Sequence, residues 1–322
     1  MTAAVAGGVP ATFSELFAAI ASNVEQVIQG KPEVVELALI CLLAEGHLLI
    51  EDVPGVGKTS MAKAMAASID CTWKRVQFTP DLLPSDVIGV TVWNRGTDAF
   101  EFRPGPVFAN IVLGDEINRA SPKTQSALLE AMEEGQVTVD GTTHPLPQPF
   151  MVIATQNPVE HEGTYPLPES QLDRFLMRLS VGYPNRQAEM DILDAHATVG
   201  TLGELAPVAS SLQVEAMIKA VRSVHVAPAL KSYLVDLADA SRRHPGITLG
   251  MSPRATLSLQ RAARARAAAS GRNYVIPDDI KALAEPVVGH RLVLASDAQL
   301  QGAAAGRVIA ELLASVPVST AR

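Results

Sequence analysis

Cysteines and aromatic residues are scarce in this sequence, whose 322 residues include two cysteines and 4% aromatic residues. Cys41 and Cys71 have no histidine cluster around them and lack the spacing of metal ligands. We therefore expect two reduced, mostly buried thiols and no metal site built on them.

Long apolar runs are also missing. The longest is LALICLLA, residues 37–44, whereas a membrane-spanning helix needs about 20 apolar residues. No lysine or arginine precedes Lys31, so the first residues lack the charged start of a secretory signal. These features predict a cytoplasmic protein without a membrane span.

Positive charge is in deficit, and the deficit is uneven. The net charge is -8; residues 1–185 carry 11 Lys and Arg against 22 Asp and Glu, and residues 186–322 carry 15 against 12. A surface that binds duplex nucleic acid needs clustered positive charge. The acidic first part therefore disfavours such a surface.

The sequence divides into three parts. Residues 1–12 are small and punctuated by Gly and Pro, which predicts a flexible start. Residues 13–185 alternate helical patterns with short apolar runs, which indicates a parallel sheet covered on both faces. Residues 186–322 are alanine-rich helical patterns without strand runs. We expect an α/β domain followed by a helical domain.

Two segments of the α/β part read as β-hairpins. Residues 89–108 alternate in polarity and turn at residues 95–98, and residues 135–146 turn at Asp140-Gly141. An Asp-Gly pair between alternating segments is a strong hairpin signal. Both hairpins are predicted insertions beside the main strands.

The segment EDVPGVGKTS, residues 51–60, has the strand, loop and helix context of a phosphate-binding loop. Loop N–H groups would cradle phosphate, Lys58 would reach the β- and γ-phosphates, and Thr59 would offer a hydroxyl to Mg²⁺. The usual pattern begins with glycine, but Asp52 stands there. We predict that its carboxylate accepts loop N–H groups and points away from phosphate. The alternative is an ordinary Gly-rich turn.

Polar residues end two further apolar runs. Asp115 in IVLGDE is placed to hold the Mg²⁺ hydration shell, and Glu116 to polarise an attacking water. Asn157 ends VIATQN, where an amide could orient that water. The simpler alternatives are a solvated turn for the acids and a strand-end cap for the amide.

One arginine is a candidate for stabilising the charge of phosphoryl transfer, and a second stands at a predicted helix start. Arg174 in LDRF follows a short polar helix, so we expect it to be exposed and available to the γ-phosphate of a neighbouring subunit. Arg254 follows Ser252 and Pro253, which act as cap and first-turn residue of a helix. Either could instead be a solvated surface charge, and the role of Arg119 stays open.

The histidines offer no alternative catalyst. His47, His144 and His161 stand in no nucleophile motif, and EHEG at residues 160–163 lacks the second histidine of a zinc motif. We expect ordinary surface or strand-end histidines.

Four motifs together resemble the MoxR family of AAA+ ATPases, and the resemblance runs from Val27 to about Leu294. The motifs are VPGVGKTS, GDEINRASPKTQSALLEAMEEGQVTVDG, IATQNPVEHEGTYPLPESQLDRF and SPRA. The resemblance implies a three-layer α/β/α domain with an all-helical lid. It also implies a ring, most simply a hexamer, with Mg²⁺ and ATP bound between subunits.

The resemblance also implies roles for individual residues. Asp115 and Glu116 match the Walker B motif, Asn157 sensor 1, Arg174 the arginine finger and Arg254 sensor 2. Val27, Ile28 and Gly30 would line the adenine pocket. The Walker A loop would comprise Pro54, Gly55, Val56, Gly57, Lys58, Thr59 and Ser60.

By the same resemblance, the chain would use ATP hydrolysis for chaperone-like remodelling of protein complexes. Its hairpins would face the pore or a partner, and the partner often carries a von Willebrand A domain. A nucleic-acid motor is the main alternative, but the first hairpin shows one exposed basic residue, Arg95 beside Trp93, where a strand-tracking groove needs several. An ATP-dependent scaffold with little turnover is the other, and Glu116 argues against it.

Overall fold

The computed structural model describes residues 12–52, 55–157, 163–183, 186–187, 189–190, 205–300 and 304–318. The predicted flexible start, residues 1–12, lies almost wholly outside the described residues, as does Pro54. Residue 185 also lies outside them, so the domain boundary at residues 185/186 stays a prediction.

Two helices precede the sheet. Helix α1, Phe13–Glu25, begins with a capping box in which Thr12 accepts the Glu15 N–H and the Glu15 carboxylate accepts the Thr12 N–H. Helix α2, Pro32–Leu43, begins at a proline, whose missing N–H costs nothing in a first turn. Gly30, at φ +71°, makes the turn between them.

The central sheet has five parallel strands in the order β2-β5-β8-β1-β9. Their bounds, in that order, are Trp73–Gln77, Ile111–Asp115, Met151–Gln156, Leu48–Glu51 and Met177–Leu179. Strands β5 and β8 coincide with the apolar runs IVLGDE and VIATQN, and β1 is the strand predicted before the phosphate loop. The edge strand β9 was not anticipated, because three residues are too few to show a pattern.

Side chains alternate between two cores on the two faces of the sheet. Leu48 and Ile50 face helix α3, Lys58–Ser68, together with α1, α2 and the helices that follow residue 205. Leu49 faces the other core, to which helix α5, Pro122–Glu134, contributes Leu128 and Leu129. This arrangement is the predicted three-layer α/β/α domain.

Both predicted hairpins are present. Strands β3, Gly89–Asn94, and β4, Ala99–Pro104, pair antiparallel after the short helix α4, Pro84–Ile88. Strands β6, Gln136–Val139, and β7, Thr142–Pro145, pair directly after α5. The expectation of a single exposed basic residue on the first hairpin was wrong, since Arg95 and Arg103 are both exposed.

The residues after 205 form a helical domain, as predicted. The short helix α6, Glu169–Leu172, precedes it, and its own helices are α7 Ser211–Ser223, α8 Pro228–Arg243, α9 Pro253–Ala269, α10 Pro277–Val288, α11 Ser296–Leu300 and α12 Ala305–Ser315. One short antiparallel pair, β10 Ile247–Leu249 with β11 Val293–Leu294, was not expected there. Within the described residues, no helix has the length and hydropathy required to cross a bilayer.

Candidate functional site

The strand order brings the predicted site residues together. Strands β1, β8, β5 and β2 are successive neighbours and parallel, so their carboxyl ends meet at one edge of the sheet. Asp52 and Asn157 directly follow β1 and β8, and Asp115 and Gln77 are the last residues of β5 and β2. Ligands bind at this edge in open parallel sheets.

The phosphate loop joins β1 to α3 at this edge. Gly55 and Gly57 adopt φ +88° and +91°, which residues with a Cβ rarely adopt. Gly57 is the N-cap of α3, so the first helical N–H groups point out of the helix toward the cavity. The Lys58 ammonium donates to the Asp52 carbonyl at 2.9 Å.

The Asp52 side chain is buried and points away from the phosphate side of the loop, as predicted, but the N–H groups it accepts here belong to the segment after strand β9 and not to the phosphate loop. Its Oδ2 accepts the backbone N–H groups of Val181 at 2.5 Å and Gly182 at 2.7 Å, and the Ser180 hydroxyl at 3.2 Å. These residues follow strand β9. The aspartate therefore ties the start of the phosphate loop to the end of the neighbouring edge strand.

The two adjacent acids have different partners. Asp115 accepts the Thr155 hydroxyl at 2.6 Å and pairs with Arg75 at 2.5 Å. Glu116 has φ +56°, a left-handed conformation that costs about 1–3 kcal/mol in a non-glycine residue and is found preferentially at functional sites. Its backbone N–H donates to Thr155 Oγ1 at 2.9 Å, which holds that conformation.

Glu116 is further held by two donors on Oε2. The Gln77 amide donates to it at 2.8 Å and Arg119 at 2.9 Å. Arg119, whose role was left open, therefore contacts the acid directly. Arg75 and Gln77 were missed in the sequence, although their spacing of two places them on one face of a strand that ends at the site.

Two adjoining cavities open around the loop. The phosphate-loop cavity, about 370 Å³, is lined by Gly55, Gly57, Lys58, Thr59, Ser60, Arg75, Asp115, Glu116 and Asn157. The side cavity, about 210 Å³, is lined by Val27, Ile28, Gln29, Lys31, Gly55, Val56, Gly57, Ser60, Val181 and Gly182. Gly30, predicted for the adenine pocket, does not line the side cavity and instead forms the turn before α2.

The donor set of the phosphate-loop cavity suits Mg²⁺. Thr59 and Asp115 supply a hydroxyl and a carboxylate, and Mg²⁺ prefers oxygen ligands of this kind. Among the described residues there is no cluster of three His, Cys, Asp or Glu side chains able to form an all-protein metal cage. Mg²⁺ bound through one or two protein oxygens plus phosphate and water needs no such cage.

The two candidate arginines lie elsewhere. Arg174 and Arg254 line a third cavity of about 600 Å³, the arginine cavity, with Arg222, Arg261, Arg264, Arg291, Glu45, Gly46, His47, Met132, Glu133, Asp173, Leu176 and Ser258. None of these residues lines the phosphate-loop or side cavity. The side chain of Arg174 is 28% exposed and forms an ion pair with Glu133. The expectation that this arginine is freely exposed was therefore wrong.

Family comparisons match both parts of the chain. The ATPase family associated with various cellular activities (AAA) matches residues 47–177, and an AAA lid domain matches residues 239–312. A crystal structure of a proposed ATPase from Cytophaga hutchinsonii superposes with a TM-score of 0.90 at 37% identity, over 96% of each chain.

Three curated proteins are similar over most of their length. YeaC of Bacillus subtilis (strain 168), an uncharacterised protein, is 50% identical over 93% of this chain and 94% of its own. Chaperone MoxR1 of Mycobacterium tuberculosis (strain ATCC 25618 / H37Rv) is 43% identical over 86% and 75%. Protein MoxR of Paracoccus denitrificans is 32% identical over 83% and 86%.

Proposed function

Because the chain belongs to the MoxR family of AAA+ ATPases, we propose that it hydrolyses Mg-ATP and uses turnover to remodel, assemble or mature partner protein complexes. The observation that carries the proposal is the phosphate-loop cavity. There Lys58, Thr59, Asp115, Glu116 and Asn157, from three neighbouring strand ends, surround one space.

Nucleotide binding divides between the two adjoining cavities. The base would enter the side cavity beside Val27 and Ile28, and the phosphates would lie against the α3 N-terminus in the phosphate-loop cavity. Gly55, Gly57 and Ser60 line both cavities, so one extended molecule could occupy the two together. Lys58 would exchange the Asp52 carbonyl for phosphate oxygens.

The chemical step needs an oriented water. Glu116 would hold a water in line with the γ-phosphorus and accept its proton as the new P–O bond forms and the bond to the ADP oxygen breaks. Asn157 would orient the same water or the γ-phosphate. Mg²⁺, held through Thr59 and Asp115, would neutralise phosphate charge when bound. Arg75 would then give up its contact with Asp115.

Arg174 and Arg254 would act on the nucleotide of a neighbouring subunit. They line the arginine cavity, which shares no residue with the two nucleotide cavities. An arginine supplied in trans stabilises the charge that develops on the transferred phosphoryl group. This separation supports a closed ring, which we propose to be a hexamer, with lid residues 186–322 moving on the α/β domain of residues 13–185 during turnover.

We infer a protein client rather than nucleic acid. The exposed Arg95 and Arg103 of the first hairpin are balanced by the exposed Asp98 and Glu101, whereas a strand-tracking groove needs excess positive charge. Trp93 and Phe100 meet edge to face on this hairpin and are 49% and 72% exposed. A cytoplasmic partner with a von Willebrand A domain is the class of protein we propose for this surface.

The substitution Glu116→Gln tests the ATPase proposal. It keeps the shape and the contacts with Gln77 but removes the basic oxygen, so phosphate release should fall about 100-fold or more while nucleotide binding is retained. Lys58→Ala should lose both, and Glu130→Gln, an exposed change on α5, should lose neither. Equal phosphate release by wild type and Glu116→Gln would reject the assignment.

A further inference from the structure

Glu133 is a feature of the arginine cavity that the proposed mechanism leaves without a role. It lies in the last turn of α5, and each of its carboxylate oxygens contacts a different arginine. Oε2 lies 3.1 Å from Nε of Arg174, and Oε1 accepts a bond from Nη2 of Arg254. One carboxylate therefore bridges both arginines that we propose for the neighbouring nucleotide.

The bridge joins two different parts of the molecule. Arg174 follows the short helix α6, Glu169–Leu172, of the α/β part, whereas Arg254 is the second residue of α9. Two guanidinium groups placed side by side repel each other, and each long side chain loses rotamer freedom when it is held still. A carboxylate between them offsets the repulsion and fixes both side chains in one arrangement.

A second acid anchors the backbone beneath these side chains. Asp173 pairs with Arg291 at 2.8 Å and accepts the Ser252 hydroxyl at 3.3 Å. Ser252 also caps α9 by accepting the Ala255 N–H at 3.0 Å. Asp173 thus holds the start of α9 against the residue before Arg174. Glu133 in turn contacts the guanidinium groups of Arg174 and Arg254 and fixes the direction in which they point.

We propose that Glu133 is a positioning residue that presents Arg174 and Arg254 as a pair to the γ-phosphate of the neighbouring subunit. The inference rests on the proposed function, in which both arginines act in trans. A guanidinium has five N–H donors, so its contact with Glu133 leaves donors for a phosphate. Arginines already in place cost no reorganisation when charge develops on the phosphoryl group.

The test compares Glu133→Gln with Glu134→Gln. Glu134 is the next residue, is exposed, and makes no ion pair among the described residues. Loss of one positioned donor costs about 100- to 1,000-fold in kcat, so we expect loss of a positioning group to cost less, about tenfold. KM for ATP should change by about twofold at most, because the contact acts on the transition state.

Two further variants separate positioning from folding. Glu133→Asp keeps the charge on a shorter side chain and should give an intermediate kcat. In an Arg254→Ala background, Glu133→Gln should cost less than in wild type, because one of the two groups it positions is gone. The thermal midpoint should stay within about 2 °C of wild type, as expected for ion pairs that keep part of their surface in water.

The outcomes for the inference and for the proposed function differ. If Arg174→Ala abolishes hydrolysis while Glu133→Gln matches Glu134→Gln, positioning by Glu133 is rejected and the ATPase stands. Positioning by Glu133 is also rejected if the decreases in kcat caused by Glu133→Gln and Arg254→Ala are fully additive, or if Glu133→Gln raises KM for ATP without lowering kcat. If wild type releases no more phosphate than Lys58→Ala, the ATPase is rejected and the inference falls with it.

Discussion

At the scale of single residues, Asp52 explains how a phosphate loop can begin without its usual glycine. Its carboxylate is buried and accepts two backbone N–H groups and one hydroxyl from residues 180–182. Two of those residues, Val181 and Gly182, line the side cavity. Asp52 thus holds part of the wall of the proposed base pocket in place, and its carboxylate points away from the proposed phosphate site.

Restoring the glycine with Asp52→Gly should therefore destabilise the protein. The change leaves the N–H groups of Val181 and Gly182 without their acceptor, and each buried unsatisfied donor costs about 1–3 kcal/mol. We expect the free energy of unfolding in urea to fall by about 2–5 kcal/mol, and by less for Asp52→Asn, which keeps one acceptor oxygen. A stability of Asp52→Gly equal to wild type would contradict this role.

The roles of site residues could be predicted from the sequence where those residues belong to one continuous motif. Lys58, Thr59, Asp115 and Glu116 are visible because their chemistry follows directly from a loop or a strand end. By contrast, the contacts of Arg75, Gln77 and Glu133 at these sites are with residues about 40 or more positions away in the chain. Such pairs become visible only once the strands and domains are placed.

At the scale of elements, His47 connects three parts of the α/β domain. The ring lies just before β1, its Nδ1 accepts the Val152 N–H of β8, and its Nε2 contacts the Met132 carbonyl of α5, each at 3.0 Å. With Nδ1 as acceptor, Nε2 carries the proton and donates. Burial lowers the pKa of His47 to about 4, so it is a structural histidine rather than a surface one.

Stability should consequently depend on the protonation of His47. A histidine in the unfolded chain titrates near pH 6.5, whereas the pKa of His47 in the folded protein is about 4. Between these two pH values the unfolded chain binds a proton at His47 that the folded protein does not bind. The stabilisation is complete above pH 6.5 and is lost as pH falls toward 4, by up to about 1.4 kcal/mol per pH unit.

His47→Gln isolates this contribution. A glutamine amide can donate to the Met132 carbonyl and accept the Val152 N–H without titrating in this range. The unfolding free energy of wild type minus that of His47→Gln should fall as pH is lowered from 6.5 to 4, because only wild type loses stability through this group, while the carboxylates affect both proteins alike. A difference that stays constant across this range would contradict the prediction.

Elements were predictable where local chemistry decides them. The second hairpin follows from Asp140 and Gly141, which take φ +50° and +78° at the turn. Strands β9 and β10 have three residues each, and β11 has two. Strands this short are defined by hydrogen bonds to the strands beside them, and they are too short to show a pattern of alternating polarity in the sequence.

At the scale of the whole molecule, one subunit contains both halves of the proposed reaction centre but keeps them apart. Lys58 and Glu116 line the phosphate-loop cavity, whereas Arg174 and Arg254 line the arginine cavity. In the proposed mechanism, a complete centre therefore combines the phosphate loop of one copy with the arginines of the next. This arrangement would link hydrolysis to ring assembly.

Mixing two inactive variants tests whether neighbouring copies share one reaction centre. Lys58→Ala lacks the phosphate-loop lysine and Arg174→Ala lacks the arginine, so in a mixed ring some interfaces combine an intact loop with an intact arginine. Subunit exchange is first established by energy transfer between labelled copies. We predict that phosphate release by the exchanged mixture rises well above that of either variant alone. An exchanged mixture no more active than its separate components would contradict the account.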